Sequence, residues 1–193
     1  SIMPRRYSMI QREVTESDGT VSMQEVAVRA DDHVTGISAE AFADYRYGKF
    51  NIKGKVIYGE NTAHLTMVSG FGATAYDPTT GSYDYAPIRS VTMWLNATYG
   101  TRLRVGIMGG LMQNLGAARD FISTDDFWMR GAKNVDYIYR ISPSLTYTVK
   151  NLTLSLETDY TVAGYGDVAI NGRSRAQRNV GNLRVCTMVK YSF

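Results

Sequence analysis

Alternation of apolar and polar residues with a period of two, sustained over segments of about 10 to 15 residues, constrains this chain more than any other feature. Successive side chains of an extended strand point to opposite sides, so each such segment has one apolar and one polar face. In 37–47 the odd positions Ile37, Ala39, Ala41, Ala43, Tyr45 and Tyr47 are apolar or aromatic, and the even ones include Ser38, Glu40, Asp44 and Arg46. After Gly48-Lys49 the phase flips, and Phe50, Ile52, Gly54, Val56 and Tyr58 oppose Asn51, Lys53 and Lys55. Two strands joined by so short a turn form a hairpin. The same reading holds for 89–100 and 102–111 around Gly100-Thr101, and for 135–149 and 152–159 around Lys150-Asn151. In the last strand Leu183, Val185, Thr187, Val189, Tyr191 and Phe193 share one side, opposite Asn182, Arg184, Lys190 and Ser192.

The connections alternate between these short turns and long stretches at about 62–86, 113–133 and 163–178 that are rich in Gly, Asp, Ser, Tyr and Arg. Short turns at one end and long loops at the other are the asymmetry of an outer-membrane β-barrel, with lipid-facing apolar residues and lumen-facing polar ones. Aromatic residues of the apolar face (Tyr45, Tyr47, Tyr99, Tyr147, Tyr191 and Phe193) gather beside the short turns, where an interfacial girdle belongs. The expected fold is therefore all-β, an antiparallel transmembrane β-barrel in one domain over 1–193. A soluble antiparallel sandwich alternates in the same way. Long strands, polar faces dense in Arg and Lys, and aromatics at one end favour the barrel.

Composition narrows the field. The chain has 193 residues, a net charge of +3 and a mean hydropathy of -0.22. It has no apolar run of about 18 residues, the length a membrane-crossing helix needs. So mild a charge, so dispersed, does not describe a nucleic-acid surface. The single Cys186 excludes an internal disulfide, and the opening SIMPRRYSM lacks the apolar core of a secretion signal.

The closing VKYSF resembles the carboxy-terminal signal of Gram-negative outer-membrane proteins, in which a final Phe closes an amphipathic strand and is read by the barrel-assembly machinery. Tyr191 and Phe193 carry that resemblance. Three further stretches, KGKVIYGEN at 53–61, RSVTMWLNATYG at 89–100 and GGLMQNLGA at 109–117, resemble strand and loop segments of DcaP-like porins. Those are trimeric barrels that pass small, often anionic solutes. The resemblance implies an outer-membrane location, lipid as surroundings, a homotrimer, and no cofactor.

Counting back from the last strand gives seven strands to about residue 37. The stretches SMIQREVT and VSMQEVAVR, around Ser17-Asp18-Gly19, supply two more. Nine is odd where single-chain bacterial barrels are even. The expectation is therefore the carboxy-terminal part of a larger barrel.

The polar parity collects the expected pore lining. Its basic members are Arg46, Lys53, Lys55, Arg102, Arg104, Arg140, Lys150, Arg184 and Lys190, against Glu40, Asp44, Asp136, Glu157 and Asp159. That excess of positive charge in a narrow polar passage predicts a modest preference for anions. The bland alternative is a wall of paired charges. Phe42, Ile57, Trp94 and Ile138 fall on the same polar parity; either they pack on a loop folded inward, or a bulge shifts the local phase. The stretch GFGATAYDPTTGSYDYAP is an outer loop or an aromatic platform for a sugar or aromatic acid. His33 beside Asp31 and Asp32 could serve a hydrolase at the barrel rim, but neighbours on an extended chain point apart. Two scattered His and one Cys give no metal-ligand spacing, and Gly70 and Gly72 lack the rest of a phosphate loop. The remaining alternative is a small closed barrel with a structural or adhesin role.

Overall fold

The computed structural model describes residues 4–193 except 6 and 16. It is all-β among the described residues, with one 3-10 turn at Thr62–Leu65. The chain runs β1 (Tyr7–Thr15), β2 (Val21–Arg29), β3 (Ser38–Tyr47), β4 (Phe50–Glu60), β5 (Gly70–Asp77), β6 (Ser82–Gly100), β7 (Leu103–Ala117), β8 (Phe127–Met129), β9 (Val135–Val149), β10 (Leu152–Val168) and β11 (Ser174–Tyr191). The expected segments are therefore strands, and antiparallel ones.

Seven of them form the main sheet in the order β11-β10-β9-β7-β6-β4-β3. The sheet is open: β3 and β11 are its edges, and no closed barrel forms among the described residues. The two amino-terminal segments do pair, in register from Tyr7 with Arg29 to Thr15 with Val21. They make a separate two-stranded sheet instead of extending the main one.

Tight turns fix the register at one end. Gly48 and Lys150 both take positive φ, 56° and 51°, which a two-residue hairpin turn requires. Arg102 and Lys150, expected on the lining face, sit in these turns, since β7 begins only at Leu103 and β9 ends at Val149.

The long connections are shorter than their composition suggests. β6 already begins at Ser82, β7 persists to Ala117, and β10 and β11 extend to Val168 and from Ser174. Stretches read as loops are strand because they find partners: Tyr76 opposes Tyr83, Phe71 opposes Pro87, and Phe71 also opposes Trp128 of β8.

Packing concentrates at this end. Ile88, Ala86, Ala117, Phe121, Phe127, Met129 and Val135 form a buried cluster with Val68, and Met112 and Ile138 pack against it. Asn114, fully buried, ties the segments together: it donates to the Val135 and Gly172 carbonyls (3.3 and 2.9 Å) and accepts from the Gly116 N–H (2.9 Å). Beside it, Ser69 donates to the Ile88 carbonyl at 2.7 Å, and Thr62 meets Ser90 hydroxyl to hydroxyl. Buried polar groups of this kind need such partners, and here they staple the 61–69 connection to β6.

Candidate functional site

Register sorts the side chains of the main sheet into two faces. On one, Tyr47, Phe50, Tyr99, Val105, Leu145 and Leu156 stand in a single row across neighbouring strands. The next rows hold Leu103, Tyr147, Leu154 and Val189, then Leu152 with Tyr191. This face is open to the surroundings: Leu95 is 53% exposed, Leu183 64%, Val185 61% and Val189 71%. Five of the six aromatics expected beside the short turns project from it, and the sixth, Phe193, lies just past β11 and meets Tyr191 edge to face at 5.3 Å. A second aromatic row, Tyr58 and Tyr137 with Val91 and Gln113 between them, crosses the sheet eight residues up β6 from Tyr99. The sequence reading placed aromatics at one end only and missed this row.

The other face is polar and carries the charges. In one row Phe42, Lys55, Trp94, Gly110, Arg140, Thr161 and Asn182 follow one another across the strands. Two rows nearer the short turns, Arg46, Asn51, Thr98, Gly106, Ser144, Glu157 and Cys186 do so. No register shift interrupts β3–β4 or β4–β6, so Phe42, Ile57 and Trp94 belong to the polar face and are not misplaced by a bulge. Phe42 and Trp94 pair at 6.3 Å. Ile138 packs against the buried cluster at the long-loop end.

Two charged groups occupy this face. On β3 and β4, Lys55 meets Glu40 at 2.7 Å, and Asp44 takes both Lys53 (3.2 Å) and Arg46 (3.3 Å). On β9, β10 and β11, Asp159 takes Arg140 at 2.7 Å and Arg184 at 2.6 Å, while Arg140 also reaches Glu157 at 3.3 Å. Ser142 donates to Asp159 as well, at 3.2 Å. Five of the expected basic residues are thus paired. Among the described residues Arg104 and Lys190 make no ion pair, nor do Arg102 and Lys150 in their turns. Of the nine basic and five acidic residues expected on this face, seven and five hold strand positions.

A concavity of about 610 Å³ lies on the polar face beside the short turns. Arg46, Lys49, Lys53 and Arg104 line it with Asn51, Asn96, Thr98 and Trp94, and no carboxylate lines it. Three of those cations were expected; the amides were not. They carry no charge to draw the eye, although their parity marks them.

The remaining candidates separate. His33 pairs with Asp31 at 2.9 Å in solvent, while Asp32 points the other way and is fully buried. Asp32 accepts from Arg5 (2.8 Å), the Tyr83 N–H (3.0 Å) and the Tyr85 hydroxyl (3.3 Å), holding the start of the chain against the tip of β5–β6. Burial alone raises its carboxyl pKa, but the Arg5 ion pair and the Tyr83 N–H outweigh burial and hold it below the usual carboxylate range. Among the described residues no group of three or more His, Cys, Asp and Glu stands together as metal ligands would. No described helix is long and apolar enough to cross a membrane. Comparison with protein-family models, with curated proteins and with solved structures returns no match.

Proposed function

We propose that this sheet is part of the wall of an outer-membrane porin, with its apolar face toward lipid and its charged face lining a passage for small hydrophilic solutes. One observation carries the reading. Leu95, Leu154, Leu156, Leu183 and Val185, on three of the seven strands, are exposed together, while most charges of the opposite face are paired with one another. A soluble sandwich has the reverse arrangement, because an apolar face that wide must be buried in water. Aromatic rows at both ends of the apolar face match interfacial girdles.

Passage needs no chemistry in this reading. Solutes are sorted by bore, by lining charge and by the loop cluster that packs on the polar side at the long-loop end. Ion pairing leaves a slight positive balance, strongest at the short-turn concavity around Arg104, so the preference for anions is modest. Closure has a definite arithmetic. All neighbours are antiparallel and seven strands are an odd number, so β3 and β11 run the same way. An all-antiparallel barrel takes an odd number of strands besides these seven, and the β1–β2 hairpin offers two. The trimer and the recognition of Tyr191 and Phe193 by the assembly machinery come from the family resemblance. Planar-bilayer recording tests the proposal: discrete ohmic conductance steps are expected, and a protein that binds the bilayer without any open-channel step contradicts it.

A further inference from the structure

The small sheet at the long-loop end has two unlike faces. Gly72, Ala86 and Phe127 turn inward onto Phe121 and the buried cluster. The opposite face is an unbroken run of rings: Tyr76 to Tyr83 at 4.6 Å, Tyr83 to Tyr85 at 6.2 Å, Tyr85 to Phe71 at 5.8 Å, and Phe71 to Trp128 at 5.8 Å. Its two ends are the most open, with Tyr76 43% and Trp128 50% exposed. Phe71, Tyr83 and Tyr85 between them are half-buried, with Arg5 and Asp32 against the two tyrosines. An aromatic patch open at both ends, on a sheet already buried on its other side, marks a contact surface.

Where this surface stands follows from β6. The strand is continuous from Ser82 to Gly100, so Tyr83 and Tyr85 share the face of Val91, Met93, Leu95 and Tyr99. The ladder is therefore on the outer wall and not in the lumen. Tyr85 lies 14 residues from Tyr99. At a rise of about 3.3 Å per residue and a tilt of about 40°, that places it roughly 35 Å above the lower girdle. The apolar band of such walls is about 25 Å tall, which puts the rings roughly 10 Å beyond hydrocarbon. Arg89, on the same face and ten residues from Tyr99, marks the boundary; it donates to the Gly116 and Ala117 carbonyls at 3.1 and 3.0 Å. The ladder is thus too high for the lipid girdle and too far outside for the transported solute.

Cations border it. Arg5 stacks over the Tyr83 ring at 4.2 Å, its charge taken up by Asp32. Arg119, exposed and without an ion pair among the described residues, donates to the Tyr85 carbonyl at 3.2 Å. Rings spaced by about the width of a sugar, each with a polar edge or neighbour, match pyranose rings, whose C–H faces stack on aromatics while their hydroxyls and phosphates seek donors.

We propose that the ladder of Tyr76, Tyr83, Tyr85, Phe71 and Trp128 binds the headgroup sugars of the glycolipid that surrounds the protein in the outer leaflet. The proposal rests on the outer-membrane reading and adds a partner to it. The occupant is set by continuity: the ladder rises from the same strand face as the apolar band, so the lipid that covers the band brings its own headgroup to the rings.

The test reads Trp128 in the full chain carrying Trp94→Phe, reconstituted in three kinds of vesicle: phosphatidylcholine alone, phosphatidylcholine with lipid A, and phosphatidylcholine with lipopolysaccharide that bears its core oligosaccharide. Flotation scores insertion separately. The expected result is insertion in all three, with a blue shift of Trp128 and loss of acrylamide quenching only where core sugars are present, and with that protection abolished by Tyr76→Ala together with Tyr83→Ala. Flotation without any difference among the vesicles overturns the ladder proposal and leaves the membrane reading standing. Equal protection by lipid A overturns recognition of core sugars, and equal protection by soluble core oligosaccharide over plain vesicles overturns the surrounding lipid as its source. Failure to float in every vesicle overturns the membrane reading and this proposal with it.

Discussion

Arg140 Nε lies 2.7 Å from Asp159 Oδ1, and Arg184 Nη2 approaches the other oxygen of the same carboxylate at 2.6 Å. One nearly buried acid on β10 therefore holds two cations from its neighbours β9 and β11. The field of the charged face depends on that acid as much as on its more numerous bases.

Asp159→Asn uncovers Arg184 and leaves Arg140 only Glu157, without changing the bore. Reversal potentials across a potassium chloride gradient should move toward the chloride potential, with the anion-to-cation permeability ratio rising roughly twofold. An unchanged reversal potential would show that this face does not line the conducting path. Arg104→Ala, which removes a cation with no ion-pair partner among the described residues, should move it the opposite way.

The outward face makes the opposite demand. Leu95 stands midway between the Tyr99 row and the Tyr58–Tyr137 row. Leu95→Arg should cost about 2–4 kcal/mol of folding stability in a bilayer. The neighbouring Asn96→Arg, on the polar face, should cost under about 1 kcal/mol. Urea titrations of the reconstituted protein measure both. Equal costs would remove the distinction between the two faces.

Asn114 joins β7 to the Val135 and Gly172 segments in a site without solvent. Asn114→Ala leaves two carbonyls and the Gly116 N–H unpaired and should destabilise the long-loop end by about 2–3 kcal/mol. Limited proteolysis should then cut within 118–134 while β9 and β10 remain intact. Wild-type resistance in the variant would show that the cluster is held by its apolar contacts alone.

Acid should release the amino-terminal clasp. Asp32 has a folded pKa below its ordinary value, so the stability it adds is fully present above about pH 3.9 and is lost as pH falls through the lower folded value. Tyrosine emission from the Tyr83–Tyr85 region should change over that acid window, and the change should vanish in Asp32→Asn. A wild-type transition centred above pH 5 would assign it to another group.

Much of this was readable in the residues, and what was not has physical causes. Alternation at 37–47, 50–58 and 152–159 fixed strand, face and register, because a slip of one residue would invert every side chain. The long connections misled. Tyr76, Tyr83 and Tyr85 sit among Gly, Asp, Pro and Thr, a composition that suits loops, and they become strand by pairing across the β5–β6 hairpin, whose first strand also takes β8 as a partner distant in the chain. Local pattern carries no record of such partners. The lining suffered in a similar way: Lys55 and Glu40 look like two independent charges until the β3–β4 register brings them together. Lys150 has lining parity, yet its positive φ takes it off the face into a turn.

The most direct test of the central claim is spin-label accessibility along β6. With Cys186→Ser as background, single cysteines at each position from 92 to 98 are labelled and the protein is reconstituted in phospholipid vesicles. Oxygen, which partitions into hydrocarbon, should relax the labels at 93, 95 and 97, and a water-soluble nickel complex those at 92, 94, 96 and 98, the two profiles alternating out of phase. Labels at 93, 95 and 97 that respond to the nickel complex as strongly as their neighbours would mean that this face meets water, and the account of the sheet as a membrane wall would be wrong.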